Sequence, residues 1–232
     1  VYRDAQRKTT VALRAYLKES DNFIDDTEVQ TQRRRTTGWE LSVGHREFIG
    51  ANTLDLNLTY RHGTGAFQAL EAPEDAFGEG ASRPQIWNAD VSLSVPFQIA
   101  QQNLRYLGAF RGQWNDTPLV PQDRFSIGGR YSVRGFDGGM TLSSDRGWTL
   151  RNDVGLILGA SGQELYLALD YGEVSGQASQ YLIGTRLAGT ALGLRGNLLG
   201  GSYDIFVGQP IKKPDGFRTA NTTAGFSLNW TY

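Results

Sequence analysis

The chain has 232 residues, a formal net charge of −1, no cysteine, 29 glycines and 11% aromatic residues. Near-neutral charge argues against a general nucleic-acid binder, and the absence of cysteine removes disulfides, thiolate catalysis and cysteine metal sites together. Mean hydropathy is −0.39 and no apolar run approaches the roughly 20 residues of a membrane helix, but a transmembrane barrel hides its hydrophobicity in alternation.

The chain opens on Val1-Tyr2-Arg3-Asp4 close to a strand, with no signal peptide. It therefore reads as a fragment lacking its natural N-terminus. Alternation with a period of two begins at Val11, Leu13, Ala15 and Leu17, opposed by Arg14, Tyr16 and Lys18. Trp39, Leu41 and Val43 oppose Glu40, Ser42 and Gly44, and Leu54, Leu56, Leu58 and Tyr60 oppose Asp55, Asn57, Thr59 and Arg61. Val91, Leu93, Val95 and Phe97 oppose Asp90, Ser92 and Ser94; Tyr106, Phe110 and Trp114 oppose Arg105, Arg111 and Gln113. After a long interruption come Leu150, Val154, Leu156 and Leu158 against Arg151 and Asp153, then Leu165, Leu167, Leu169 and Tyr171 against Tyr166, Ala168 and Asp170. Residues 181–196 and 203–211 alternate less cleanly. Phe226, Leu228, Trp230 and Tyr232 close the chain in strict alternation with Gly225, Ser227, Asn229 and Thr231.

About ten strands are expected, all-β and antiparallel, with lipid on one face and a wet interior on the other. An inward Asp55, Arg105 or Asp170 is acceptable in a hydrated lumen, whereas a midplane Arg or Lys on the lipid face costs roughly 2–4 kcal/mol. The connections 19–36, 63–84 and 115–147 are long and polar, while 48–52, 98–102 and 159–163 are short. That segregation matches long extracellular loops and short periplasmic turns. An aromatic C-terminal strand is how bacterial outer-membrane barrels end, so Phe226, Leu228, Trp230 and Tyr232 are expected to be read by the barrel assembly machinery. Trp39, Tyr60, Trp114 and Trp230 fit interfacial girdles.

The longest loop carries Arg124-Phe-Ser-Ile-Gly-Gly-Arg-Tyr131 followed by Val133, Arg134, Gly135 and Phe136. Its glycines allow sharp reversals, and the Arg134 fork suits a carboxylate. Asp170 faces the lumen by strand parity, with Gly172 on the same face. A loop tucked inward could pair Arg134 with Asp170 in a partly desolvated bridge.

The tetrad Val133-Arg134-Gly135-Phe136 and its preceding residues resemble the sixth extracellular loop motif of the outer-membrane insertase and translocator superfamily. The run through Asp145-Arg-Gly-Trp148 and Arg151-Asn152 is similar to the two-partner secretion transporters, which export filamentous haemagglutinin and haemolysin-type exoproteins. The resemblance covers the whole chain. It implies that the motif arginine bridges to an aspartate on an inward-facing strand, positions matched by Arg134 and by Asp170-Tyr171-Gly172. It also implies a 16-stranded barrel preceded by a plug helix and two POTRA domains, of which residues 1–232 match only about the last ten strands. The expected function is export of an unfolded exoprotein across the bacterial outer membrane, with the exoprotein, membrane lipid and lipopolysaccharide, and the assembly machinery as partners. A barrel insertase of the same superfamily and a passive pore are the alternatives.

Other constellations read blandly. His45 and His62 lack the neighbours a hydrolase needs, so no catalytic residue is assigned and the chain is read as no enzyme. Arg33, Arg34 and Arg35 suit either lipopolysaccharide phosphates or an ordinary rim cluster. Glu71, Glu74, Asp75 and Glu79 lack the ordered spacing of a calcium loop. No phosphate-binding loop or other cofactor or metal motif is present.

Overall fold

A computed structural model describes residues 1–29, 33–159, 161–198 and 200–230. The expected role of Tyr232 lies outside the described residues. Among the described residues fifteen strands are formed: β1 (Tyr2–Arg3), β2 (Arg7–Ser20), β3 (Phe23–Ile24), β4 (Thr27–Glu28), β5 (Arg34–Ile49), β6 (Asn52–Thr64), β7 (Gln85–Ile99), β8 (Gln102–Asn115), β9 (Phe125–Ile127), β10 (Leu142–Ser144), β11 (Arg146–Leu158), β12 (Gln163–Ser175), β13 (Arg186–Leu198), β14 (Gly201–Lys212) and β15 (Thr223–Trp230). Eleven of them make one sheet, in the order β1-β2-β5-β6-β7-β8-β11-β12-β13-β14-β15. Every neighbour pair is antiparallel. Without the two-residue β1, the wall is ten long strands in chain order.

The sheet is an open arc: among the described residues, no pairing joins β15 to β1 or β2. Among the described residues the inserted strands β9 and β10 pair with each other and with no strand of the wall, so the longest loop carries structure of its own. The short turns are tight for a backbone reason. Between β7 and β8, Ala100 and Gln101 both take positive φ, 47° and 63°, the twist of a type I′ hairpin.

Alternation sets two unlike faces. Leu13, Leu58, Leu167, Leu192, Val207 and Leu228 stand exposed on the outside, an apolar surface too large for water and suited to acyl chains. At the long-loop end this face carries an aromatic belt, with Tyr60–Trp87 centroids 4.5 Å apart and Trp148–Tyr171 5.2 Å apart. Trp230, paired with Gly201, marks the opposite rim. Asn152 also faces outward, but Tyr106 donates its hydroxyl to Asn152 Oδ1 at 2.7 Å and Asn152 Nδ2 donates to the Leu169 carbonyl at 3.1 Å. A polar side chain satisfied in this way can sit against hydrocarbon.

Candidate functional site

The site is built where the long connection 116–145 folds back against the inner faces of β11 to β14. Phe125, Ile127, Val133, Phe136 and Leu142 from that connection pack with Val174 of β12, Leu187 of β13 and Phe217 from the β14–β15 loop. Phe136 meets Phe217 edge-on, centroids 5.6 Å apart, the favoured aromatic arrangement. A small apolar core therefore sits inside an otherwise polar wall. It draws water away from the charges beside it.

Arg134 is 2% exposed and Asp170 is 0% exposed. The two meet through three hydrogen bonds: the Arg134 backbone N–H and Nε donate to Asp170 Oδ2 at 2.9 and 2.7 Å, and Nη2 donates to Oδ1 at 2.7 Å. The same Nη2 donates to Asp153 Oδ1 on β11. Burial by itself would pull the Arg134 pKa down, but the hydrogen bonds from Asp170 and Asp153 more than reverse this, and it is raised above its ordinary value. Arg134 thus stays charged between two carboxylates, the condition under which a buried ion can persist.

Gly135 and Gly189 permit the approach. Gly135 holds φ at 97°, and a Cβ there would overlap the Gln209 backbone on β14. A Cβ on Gly189 would strike the Arg134 carbonyl. Gly172 lies under Val133, where added bulk would be crowded. Val133 and Phe136 bury their side chains in the apolar core, so each residue of the tetrad contacts the wall.

The base of the loop is tied as well. Buried Asp145 accepts from the Leu119 N–H at 3.0 Å and from the Ala178 N–H at 2.9 Å, joining the 116–145 connection to the β12–β13 connection. Arg61 on β6 pairs with Asp123 at 2.6 Å. At the tip, Arg130 donates to the Phe226 carbonyl of β15 at 2.8 Å. Phe226, Leu228 and Trp230 themselves face outward, 66%, 70% and 62% exposed.

The rest of the lumen wall is open. A cavity of about 560 Å³ is lined by Lys8, Arg46, Asp55, Asp90, Arg111 and Arg151 among others, and exposed Tyr131 from the loop borders it. Its charges are mixed in sign and largely solvated. Neither histidine sits beside a catalytic partner: His62 stacks on Trp39 at 5.4 Å, and His45, whose residue borders the cavity, has its Nδ1 2.8 Å from Thr9 Oγ1. Arg33, Arg34 and Arg35 each face a carboxylate: Asp21, Glu74 and Glu19 respectively. Asp75 is occupied by the Ser82 hydroxyl at 2.6 Å.

Sequence reasoning did not identify Asp153 as a second acceptor for Arg134, nor Arg195 and Glu164 beyond it. The available signal was parity: Asp153, Glu164 and Arg195 all fall on inward positions of strands packed against the loop.

The family model for the haemolysin secretion/activation protein ShlB/FhaC/HecB matches residues 1–196. The chain belongs to this family. A Burkholderia pseudomallei (strain 1026b) protein named outer membrane transporter CdiB-2 is 36% identical to it, covering 90% of the chain and 36% of that relative. CdiB from Acinetobacter baumannii superposes with a TM-score of 0.86 at 35% identity, covering 100% of the chain and 40% of the solved one. CdiB from Escherichia coli shares the fold, with a TM-score of 0.84 at 23% identity over 98% of the chain and 42% of the solved one. This ShlB/FhaC/HecB-family chain thus spans about two-fifths of the length of these structures. Its setting is the bacterial outer membrane, and its sheet is the wall of a transmembrane β-barrel.

Proposed function

We propose that residues 1–232 form the C-terminal wall of a two-partner secretion translocator, which passes an unfolded haemagglutinin- or haemolysin-type exoprotein through its lumen to the cell surface. The buried Arg134 clamp carries this reading. A passive pore has no need to bury a guanidinium between two carboxylates under a dedicated apolar core. The mixed-charge lumen suits transit because it gives apolar segments of a passenger nowhere to settle. No nucleotide is available at this membrane, so folding of the passenger outside would draw transport forward. Within this reading the outward Phe226, Leu228 and Trp230 serve recognition by the barrel assembly machinery, and the rim contacts lipid and lipopolysaccharide.

The test replaces Arg134 by Ala in the complete transporter and measures exported passenger beside the amount of assembled barrel. Export is expected to collapse while assembly persists. Undiminished export would overturn the reading. A defect in the assembly of other barrels would instead favour an insertase.

A further inference from the structure

Arg134 does not end in its two carboxylates. Asp153, which accepts from Arg134 through Oδ1, accepts through Oδ2 from Arg195 Nη1 on β13 at 2.7 Å. Arg195 Nη2 then donates to Glu164 Oε1 on β12, and Arg105 Nη2 on β8 donates to Glu164 Oε2. At the other end, Arg151 Nε lies 3.6 Å from Asp170 Oδ2. The charges alternate without interruption: Arg151, Asp170, Arg134, Asp153, Arg195, Glu164, Arg105.

The tyrosine ring at the centre reinforces the line. Tyr166 is buried; the Arg195 guanidinium lies 4.5 Å from its centroid and that of Arg134 5.6 Å away, on a ring face that attracts cations. Its hydroxyl donates to Asp204 on β14 at 2.7 Å, fixing the ring between strands. Glu164 stands at the start of β12, next to a short turn, while Asp170 is six positions further along, about 20 Å at 3.3 Å per residue. The chain of charges therefore runs from the periplasmic rim to the loop clamp.

We propose that Arg195 and Glu164 are positioning residues: they orient Asp153 and so hold Arg134, and with it the inward loop, in register with the periplasmic end of the wall. A carboxylate fixed on one side by Arg195 presents its other oxygen to Arg134 in one geometry. Without Arg195 that oxygen is free to turn towards the adjoining lumen cavity of about 350 Å³, which Asp153 also lines. The periplasmic rim is where a passenger enters on the function proposed above. Acidic or basic side chains of an entering polypeptide would compete for Glu164 and Arg105 first, so entry itself would loosen the clamp.

Residues 1–232 hold no cysteine, so a thiol placed among them is unique there, and any cysteine elsewhere in the complete transporter is replaced by serine. Val133→Cys, at a position of the loop buried in the apolar core until the loop lifts, is introduced into the complete transporter in lipid nanodiscs and labelled with a polar maleimide. Arg195→Gln should accelerate labelling by about tenfold, the scale of one lost charge-assisted hydrogen bond, and Arg195→Lys should fall between it and wild type. Glu164→Gln, isosteric and gentler on folding, should act in the same direction. Arg46→Gln breaks an ion pair on the opposite wall and should change nothing. Labelling unaltered in both Arg195→Gln and Glu164→Gln, or altered equally by Arg46→Gln, would overturn the inference. Arg134→Ala separates the two levels: if it alone changes labelling, the clamp stands and the relay fails; if it too has no effect, the clamp itself fails.

Discussion

The strands β2 to β8 and the strands β11 to β14 follow the same rule of alternation, yet their inner faces have different fates. On the first set, inward Lys8, Arg46, Asp55, Asp90 and Arg111 line an open, hydrated cavity. On the second, inward Tyr166, Ala168, Asp170, Val174, Leu187 and Ala191 are almost completely buried. The difference comes from two things: the loop between β8 and β11 packs its apolar core on the second set, reaching the first only through polar ties such as Arg61–Asp123, and Tyr166, Ala168 and Ala191 close with Phe206 into a second cluster. One half of the wall is a wet surface; the other is the floor of a small folded core. Charge behaves accordingly: Arg111 and Asp90 stand 3.8 Å apart in solvent, while Arg134 is locked between carboxylates.

The comparison can be broken most severely at the buried pair. Asp170→Ala leaves Arg134 with one strong acceptor and should destabilise the barrel by about 3–5 kcal/mol, the usual result of stripping one partner from a buried bridge; urea unfolding in micelles would measure it. Next comes the lipid face. Leu167→Arg on β12 should cost roughly 2–4 kcal/mol near the midplane, whereas Ser92→Arg, facing the open lumen, should cost close to nothing. Reconstituted channel conductance would sharpen the lumen side, since Ser92→Arg should shift ion selectivity without moving the unfolding midpoint. Arg111→Ala should leave stability unchanged in the same assay, because a solvated pair contributes little.

The smallest effect concerns Asp137 in the inward loop. Its carboxylate accepts from the Gly139 N–H at 2.9 Å and the Ala220 N–H at 2.7 Å, and these backbone bonds hold its pKa below the ordinary 3.8. A depressed carboxylate stabilises the folded loop above the ordinary pKa, and that contribution is lost as pH falls through the folded value. Thermal melts of wild type and Asp137→Asn should therefore differ at neutral pH and converge only as pH falls below 3.8 through the depressed folded value.

Much of this was legible in the residues. About ten strands and their lumen parity follow from period-two alternation, cleanly except at 181–196 and 203–211; the loop glycines allow Arg134 to reach Asp170, and the family resemblance implies that pairing. The segment 181–196 alternates poorly for a reason visible only in the fold. Leu187 and Gly189 face inward but meet the loop, and Ala191 meets Tyr166 and Phe206, rather than water, so both faces of β13 are apolar or small. Asn152 breaks the outer pattern because Tyr106, far away in sequence, satisfies it. Nothing in the sequence sets Asp153 or Arg195 apart from any other inward charge, since no local pattern announces that a loop will cover them. Coverage is a tertiary fact: alternation says which way a side chain points and nothing about what it finds there.

The most direct measurement is a double-mutant cycle on Arg134 and Asp170, with exported passenger and urea unfolding both read for Arg134→Ala, Asp170→Ala and the pair. The account predicts strong coupling, the double variant scarcely worse than either single one and an interaction of about 2 kcal/mol or more. Additive losses within roughly 0.5 kcal/mol would mean that the two residues act independently, and the clamp would not be what holds the loop in the barrel.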